Sequence, residues 1–230
     1  MERCLITGAS GGIGRAMAVR LASKERLLLL HGRNRGKLDE TSAMVHARGG
    51  QFKLLVYDLA DSTAVDRLVA EVGSVPLHTL IHSAGVAVVK PMEEHTPAEW
   101  QGVLAVNVTA PFLLTRKLLP FMPSGASIVN ILSVAAKSGF ANWSSYCMSK
   151  FALDGFMQSV REEVRSRGIR VISIYPQATV TGIWTGVPGD WPRDRMMAPE
   201  QVAEAVAFAL SRPADVLVED ISLGNLGGNL

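Results

Sequence analysis

Cysteine is nearly absent from this chain. Cys4 and Cys147 are its only two, and no Cys-x-x-Cys spacing joins them to the five scattered histidines. That excludes a disulfide-rich scaffold and a zinc finger or ribbon, and no metal site is expected. Aromatics are sparse at 6%, and neither sign of charge dominates, with 23 Lys and Arg against 21 Asp and Glu. A formal charge of +2 with dispersed basic residues leaves no electrostatic footprint for nucleic acid or an anionic membrane. Long apolar runs are missing too, since stretches such as "RLLLLH" end far short of a bilayer's width. The chain enters an apolar strand, "RCLIT", without a basic leader or cleavage site, the pattern expected of a soluble cytoplasmic protein.

What is present is alternation. Strand-length apolar runs ("RCLIT", "RLLLLH", "FKLLVYDL", "LHTLIHSAG", "ASIVNILS", "IRVISIYP", "DVLVEDISLG") are separated by stretches of helical period. Continuous apolar strands between helices predict a parallel sheet buried on both faces. The expectation is an α/β, doubly wound Rossmann fold of about seven parallel strands, as a single domain over residues 1–230. Gly168 stands where a helix should end, and Pro199 in the first turn of a late one. One irregular stretch, residues 181–198, is rich in Gly and Pro and carries two tryptophans. Long loops in compact domains tend to be functional, and this one follows a strand, so a substrate lid is expected there.

"TGASGGIGRA" follows the first strand and opens the first helix, where glycines let a pyrophosphate approach backbone N–H groups. The stretch reads equally as Gly8-x-x-x-Gly12-x-Gly14 or as Gly8-x-x-Gly11-x-x-Gly14. The second strand ends in Gly32 and Arg33, with no carboxylate to bind the ribose of NAD. Arg33 suits a 2′-phosphate, or is a solvent-facing arginine at a helix start. Further on, "SSYCMSK" sets Tyr146 and Lys150 at i,i+4, on one helix face. An ammonium one turn from a phenol should lower the phenol's pKa. The pair by itself is more simply a surface accident, since this spacing often arises by chance.

"TGASGGIG", "VYDLAD", "HSAG", "VNVTAPF", "ILSVAA", "YCMSK" and "YPQATVT", in this order, resemble the classical short-chain dehydrogenase/reductase family over essentially the whole chain. The resemblance implies an oxidoreductase that moves hydride between NADP(H), or alternatively NAD(H) as an alcohol dehydrogenase, and a small carbonyl/alcohol substrate, the alternative of another class being a catalytically silent dinucleotide-sensing protein of the same fold. It implies a catalytic set of Asn107, Ser133, Tyr146 and Lys150, with Tyr146 as general acid/base. Gly8, Gly12 and Gly14 would form the cofactor loop, with Ile13 beside the nicotinamide and Ser10 a neutral partner for the phosphate. Asp58 and Leu59 would meet the adenine, and Ala84 and Gly85 its ribose. Pro176 would shape the turn before Thr181, which would hold the carboxamide, and Lys150 would also hold the nicotinamide ribose. A homodimer or homotetramer is implied as well. The chain ends soon after its last strand, so the family's extended form, with the second glycine spacing and a C-terminal substrate domain, is not expected.

Two positions depart from the family pattern. Asn-Asn-Ala-Gly is His82-Ser83-Ala84-Gly85, which removes an Asn expected to brace the sheet. Pro-Gly is Pro176-Gln177, which sets a side chain where the nicotinamide usually meets bare backbone. His82 itself reads as a packed strand-end residue. Phe140, Trp143 and Trp184, together with Trp191 and Met148, are expected to line an apolar substrate pocket.

Overall fold

The computed structural model describes residues 1–185 and 187–227. Seven parallel strands form one sheet: β1 (Glu2–Ile6), β2 (Arg26–Gly32), β3 (Gln51–Val56), β4 (Thr79–His82), β5 (Ser127–Ile131), β6 (Arg170–Pro176) and β7 (Asp220–Leu223). Their order is β3-β2-β1-β4-β5-β6-β7. β1 therefore pairs with β2 on one side and β4 on the other, and the direction of winding reverses between β1 and β4. In such sheets the crevice at the carboxyl ends of the two switch-point strands is where ligands sit.

The helices are α1 (Gly12–Arg20), α2 (Arg35–Ala47), α3 (Ser62–Val72), α4 (Pro97–Leu104), α5 (Ala110–Leu118), α6 (Ser144–Val164) and α7 (Pro199–Leu210). They divide the apolar core between the two faces of the sheet. Leu5, Leu80 and Ile128 point to the face holding α3, α5 and α6, while Ile6, Ile81 and Val129 point to the face of α1, α2 and α7. This is the period-2 alternation of a strand buried on both sides. Gly168 closes the α6 region with φ +67°, the left-handed position expected there, and Pro199 opens α7.

Two elements differ from the sequence expectation. "DVLVEDISL" yields only a four-residue strand. As the edge strand, β7 pairs only with β6, at Ser173–Pro176, and the Val171 carbonyl earlier on β6 is taken by Arg161 Nε at 3.0 Å rather than by residues 216–218. The long helix expected after β4 is interrupted by a π turn, Ala105–Thr109, that joins α4 to α5. The joined run Pro97–Phe121 spans 25 residues and is, by length and composition, long enough to cross a bilayer, unlike any apolar run in the sequence. It is continuous because the π turn carries the helix through Asn107 and Thr109. Here its Ala110, Leu114 and Leu118 are packed in the core against the sheet.

Candidate active site

A cleft of about 640 Å³ opens at the switch point, above the carboxyl ends of β1 and β4. One floor of it is the turn from β1 into α1. Gly8 (φ +72°) and Gly12 (φ +51°) occupy the left-handed region, where side chains are strained. A Cβ on Gly8 would lie 2.8 Å from the Ala84 Cα, one on Gly12 2.9 Å from the Thr181 Cγ2, and one on Gly14 on the Gly8 carbonyl. Gly11 has extended backbone and nothing within 4 Å of such a Cβ. The backbone thus needs glycine at 8, 12 and 14 and not at 11, the first of the two spacings. No side chain caps α1, so its first N–H groups face the cleft free for an anion. Gly14→Ala should lower the stability of the ligand-free protein by ~1–3 kcal/mol, as overpacking does, while Gly11→Ala should leave it nearly unchanged. Denaturant melts of the two variants check this, and equal losses would reopen the second spacing.

The turn is braced from behind. The Arg15 guanidinium donates to the Ser10 carbonyl at 3.0 Å and pairs with Glu40 at 2.7 Å on α2. The Thr41 hydroxyl, also on α2, donates to the Ala9 carbonyl at 3.0 Å. Thr7 ties the ends of β1 and β4 together through backbone groups. Its Oγ1 accepts from the Ser83 and Ala84 N–H groups at 3.0 and 3.1 Å and donates to the Ile81 carbonyl at 3.2 Å.

At the end of β2, a Cβ on Gly32 would meet the Ser10 side chain at 2.9 Å, so no carboxylate fits there without moving the loop. Arg33 is exposed, with its guanidinium 3.9 Å from Asp58. Lys37, one turn further along α2, lines the same end of the cleft. Sequence reasoning overlooked it, although the Arg33-x-x-x-Lys37 spacing at a helix start was there to be read. Asn34 fixes that start by accepting from the Lys37 N–H at 2.9 Å. Leu59, Ala84, Gly85, Ile13, Pro176 and Thr181 also line the cleft. The cradle and its two cations fit a dinucleotide carrying an additional phosphate.

Ser133, Tyr146 and Lys150 converge midway along the cleft. Ser133 ends the loop after β5 and its Oγ accepts from the Ala135 N–H at 3.1 Å. The turn that follows is tied to α6 and β6, because Lys137 pairs with Asp154 at 2.8 Å and the Tyr175 hydroxyl donates to the other Asp154 oxygen at 2.8 Å. Tyr146 and Lys150 share the inward face of α6, at 8% and 5% exposure. Met148, about 200° around the helix from Tyr146, does not line the cleft, contrary to expectation.

The expected lowering of the Tyr146 pKa is not found. Burial pushes the phenol up to about 12, with a hydrogen bond to Ser133 acting against it, while burial pulls the Lys150 ammonium down to about 8. The Lys150 Nζ donates to the Ile131 carbonyl at 2.8 Å and lies 5.6 Å from the centre of the phenol ring. Desolvation of each group outweighs their attraction across that distance.

Asn107 sits behind this set in the π turn, at 1% exposure. Such turns often mark functional sites. Its side chain accepts from the Val86 N–H and donates to the Val86 carbonyl and the Ser149 hydroxyl, each at 2.9 Å. Asn107 does not line the cleft itself but holds the Gly85–Val86 segment that does. Gln177 lines the cleft, and its Oε1 accepts from the Asn225 N–H at 2.9 Å, against Gly224. His82 is a buried strand-end residue, Nε2 against the Thr115 hydroxyl at 2.9 Å, and burial lowers its pKa to about 3. Among the described residues no group of His, Cys, Asp and Glu could hold a metal ion.

Beyond Tyr146 the wall is apolar. Phe140, Trp143 and Ile183 pack around Ala135, Tyr146 and Cys147. Trp143 follows Asn142, whose left-handed turn (φ 68°) hands the chain into α6. Trp184 and Trp191 come from the stretch 181–198, of which Gly186 lies outside the described residues.

A Rossmann-type sheet with a glycine turn at its switch point and Ser, Tyr and Lys gathered in the crevice defines a narrow class of proteins. The family model for the short chain dehydrogenase matches residues 2–190, and the chain belongs to the short-chain dehydrogenase/reductase family. It is 32% identical over 237 residues to a sepiapterin reductase of Chlorobaculum tepidum, covering 98% of this chain and 97% of the relative. It is 31% identical over 228 residues to a D-threitol dehydrogenase of Mycolicibacterium smegmatis, covering 93% and 87%. The fold matches the crystal structure of a metagenomic short-chain oxidoreductase in complex with NADP at TM-score 0.83 and 28% identity, over 98% and 97% of the two chains. A short-chain dehydrogenase of Burkholderia cenocepacia in complex with NADP matches at TM-score 0.85 and 26% identity, over 97% and 96%.

Proposed function

We propose that this protein is an NADP(H)-dependent reductase of small carbonyl compounds. The observation that carries the reading is the meeting of Ser133, Tyr146 and Lys150 in one crevice whose far end holds Arg33 and Lys37 and no carboxylate on β2. The NADP-bound relatives support the cofactor, since their chains match this one over nearly its full length. When bound, a reduced nicotinamide supplies the hydride that becomes the new C–H bond.

The chain's own residues supply the rest. Ser133 Oγ donates to the carbonyl oxygen and aims it, and the Tyr146 hydroxyl donates the proton that this oxygen takes up as the π pair moves onto it. Tyr146, whose phenol burial pushes up to about 12, is in the acid form that reduction needs at neutral pH, as an ordinary phenol near ~10 would also be. Lys150, one turn on, sets a positive charge against the phenolate left behind. With its own pKa near 8, it can also return a proton to the phenolate. Asn107 positions the Gly85–Val86 backbone beside Lys150: a Cβ on Gly85 would lie 3.7 Å from the Asn107 Oδ1 and 3.8 Å from the Lys150 Nζ.

The test is a panel of ketones, aldehydes and alcohols followed at the nicotinamide absorbance with NADPH and NADH. Turnover should favour NADPH with carbonyl substrates, and consumption of neither cofactor by any of them would sink the reading. Residues 181–198 act as a lid in this scheme, hinged where Val180 N–H meets the Met197 carbonyl at 2.9 Å. Lids of this kind exclude water during reaction. Hydrogen exchange of this segment should slow with cofactor plus a substrate analogue, and unchanged exchange at saturation would count against a lid.

A further inference from the structure

Three of the chain's four tryptophans gather on one side of the Tyr146 phenol. The Trp143 ring centre lies 5.4 Å from that of Tyr146, 5.5 Å from Trp184 and 6.3 Å from Trp191, each in an edge-to-face pair. Trp184 and Trp191 are 4.9 Å apart, so the rings touch one another and form a wall rather than a cage around a space. Two of the three indole N–H groups are already used, by the Thr179 carbonyl at 2.8 Å and the Pro188 carbonyl at 2.9 Å. Trp184 and Trp191 therefore offer a ligand ring faces and edges rather than hydrogen bonds.

Charge is segregated along the same cleft. Arg33, Lys37 and Asp58 lie at its far end, and Lys150 lies behind the phenol with its ammonium on the Ile131 carbonyl. Among the described residues that line the cleft, none on the tryptophan side is charged. A carboxylate, phosphate or ammonium group on the substrate would lose its hydration there with no counter-charge to replace it. A saturated substrate needs only apolar area, which Leu or Ile would provide equally. Indole rings add a quadrupole that favours offset or edge contact with another ring.

We propose that the carbonyl brought to Tyr146 belongs to a neutral, planar aromatic molecule, an aryl ketone or aryl aldehyde whose ring lies against Trp143 and Trp191. This rests on the reductase reading and adds the substrate class to it. The Ser133 and Tyr146 hydroxyls meet the carbonyl oxygen, and the tryptophan wall takes the ring attached to its carbon.

The experiment uses three probes: 2-acetylnaphthalene, its saturated analogue 2-acetyldecalin, and the anionic 6-acetyl-2-naphthoate. Affinities are measured by calorimetry on the protein saturated with NADP⁺, and turnover separately with NADPH. The naphthyl ketone should bind about tenfold more tightly than the decalin ketone, a difference of about 1.4 kcal/mol. It should also bind more tightly than the naphthoate. Trp191→Leu, on the half-buried loop, and Trp143→Leu should each shrink the aromatic preference, with thermal melts confirming that both variants fold. Equal affinity for the flat and saturated ketones, or a preference that survives both substitutions, overturns the proposal. Aromatic preference in binding with no NADPH consumed on any ketone overturns the reductase reading and leaves the ligand class standing. Decalin and naphthyl ketones turned over with equal efficiency overturn the ligand class alone.

Discussion

Tyr146→Phe should lower turnover by about 10²–10⁴-fold, the usual contribution of a positioned general acid, while cofactor affinity and melting temperature stay close to wild type. The substitution keeps the ring that packs edge-on against Trp143 at 5.4 Å, so the apolar wall survives. It removes only the hydroxyl, which lines the same cleft as Ser133. Single-turnover rates with saturating NADPH, beside a calorimetric Kd for NADP⁺, separate chemistry from binding. A Phe variant with near-wild-type kcat would falsify the assignment of Tyr146 as the acid.

The double substitution Arg33→Ala/Lys37→Ala should lower kcat/KM for NADPH by about 10²-fold or more and leave NADH nearly unchanged. A hydrogen bond to a charged group contributes ~1.5–3 kcal/mol, so two such partners set an upper bound of roughly twice that. Arg33 is 63% exposed and already 3.9 Å from Asp58, so solvent and that carboxylate reduce its share. The two cations also serve one phosphate and will not add fully. Arg33→Ala alone should therefore cost less than half of the double loss in free energy. The preference should weaken as salt is raised, since exposed charges are screened. If wild type uses NADH as well as NADPH, or if the double variant loses both equally, the two residues are surface charges only.

Much of this site was legible because it rests on short-range constraints. Seven apolar runs alternating with helical period specify a parallel sheet wherever both faces must be covered, and the fold follows with little freedom. Tyr146 and Lys150 share a face because a helix repeats every 3.6 residues, and α6 does begin at Ser144. The glycine ambiguity was of another kind. Glycines at 8, 11, 12 and 14 are alike as letters, and only the approach of Ala84, Thr181 and the Gly8 carbonyl distinguishes those that cannot carry a side chain. The direction of the pKa shifts was misread for a similar reason: spacing along a helix gives proximity, but desolvation depends on everything packed around it.

By itself the sequence determined the α/β class, the order of elements, the shared helix face of Tyr146 and Lys150, and the carboxylate-free end of β2. All of these are encoded in period, spacing and residue type within single segments. Tertiary structure decided the rest: that Lys37 joins Arg33 at one end of the cleft, that Gln177 turns toward Asn225, that Thr7 holds the Ser83 and Ala84 backbone, and that Trp143 meets Trp184 and Trp191. Each of these unites residues from different segments. Their distances are set by how helices and loops pack on the sheet, which no local pattern in the chain records.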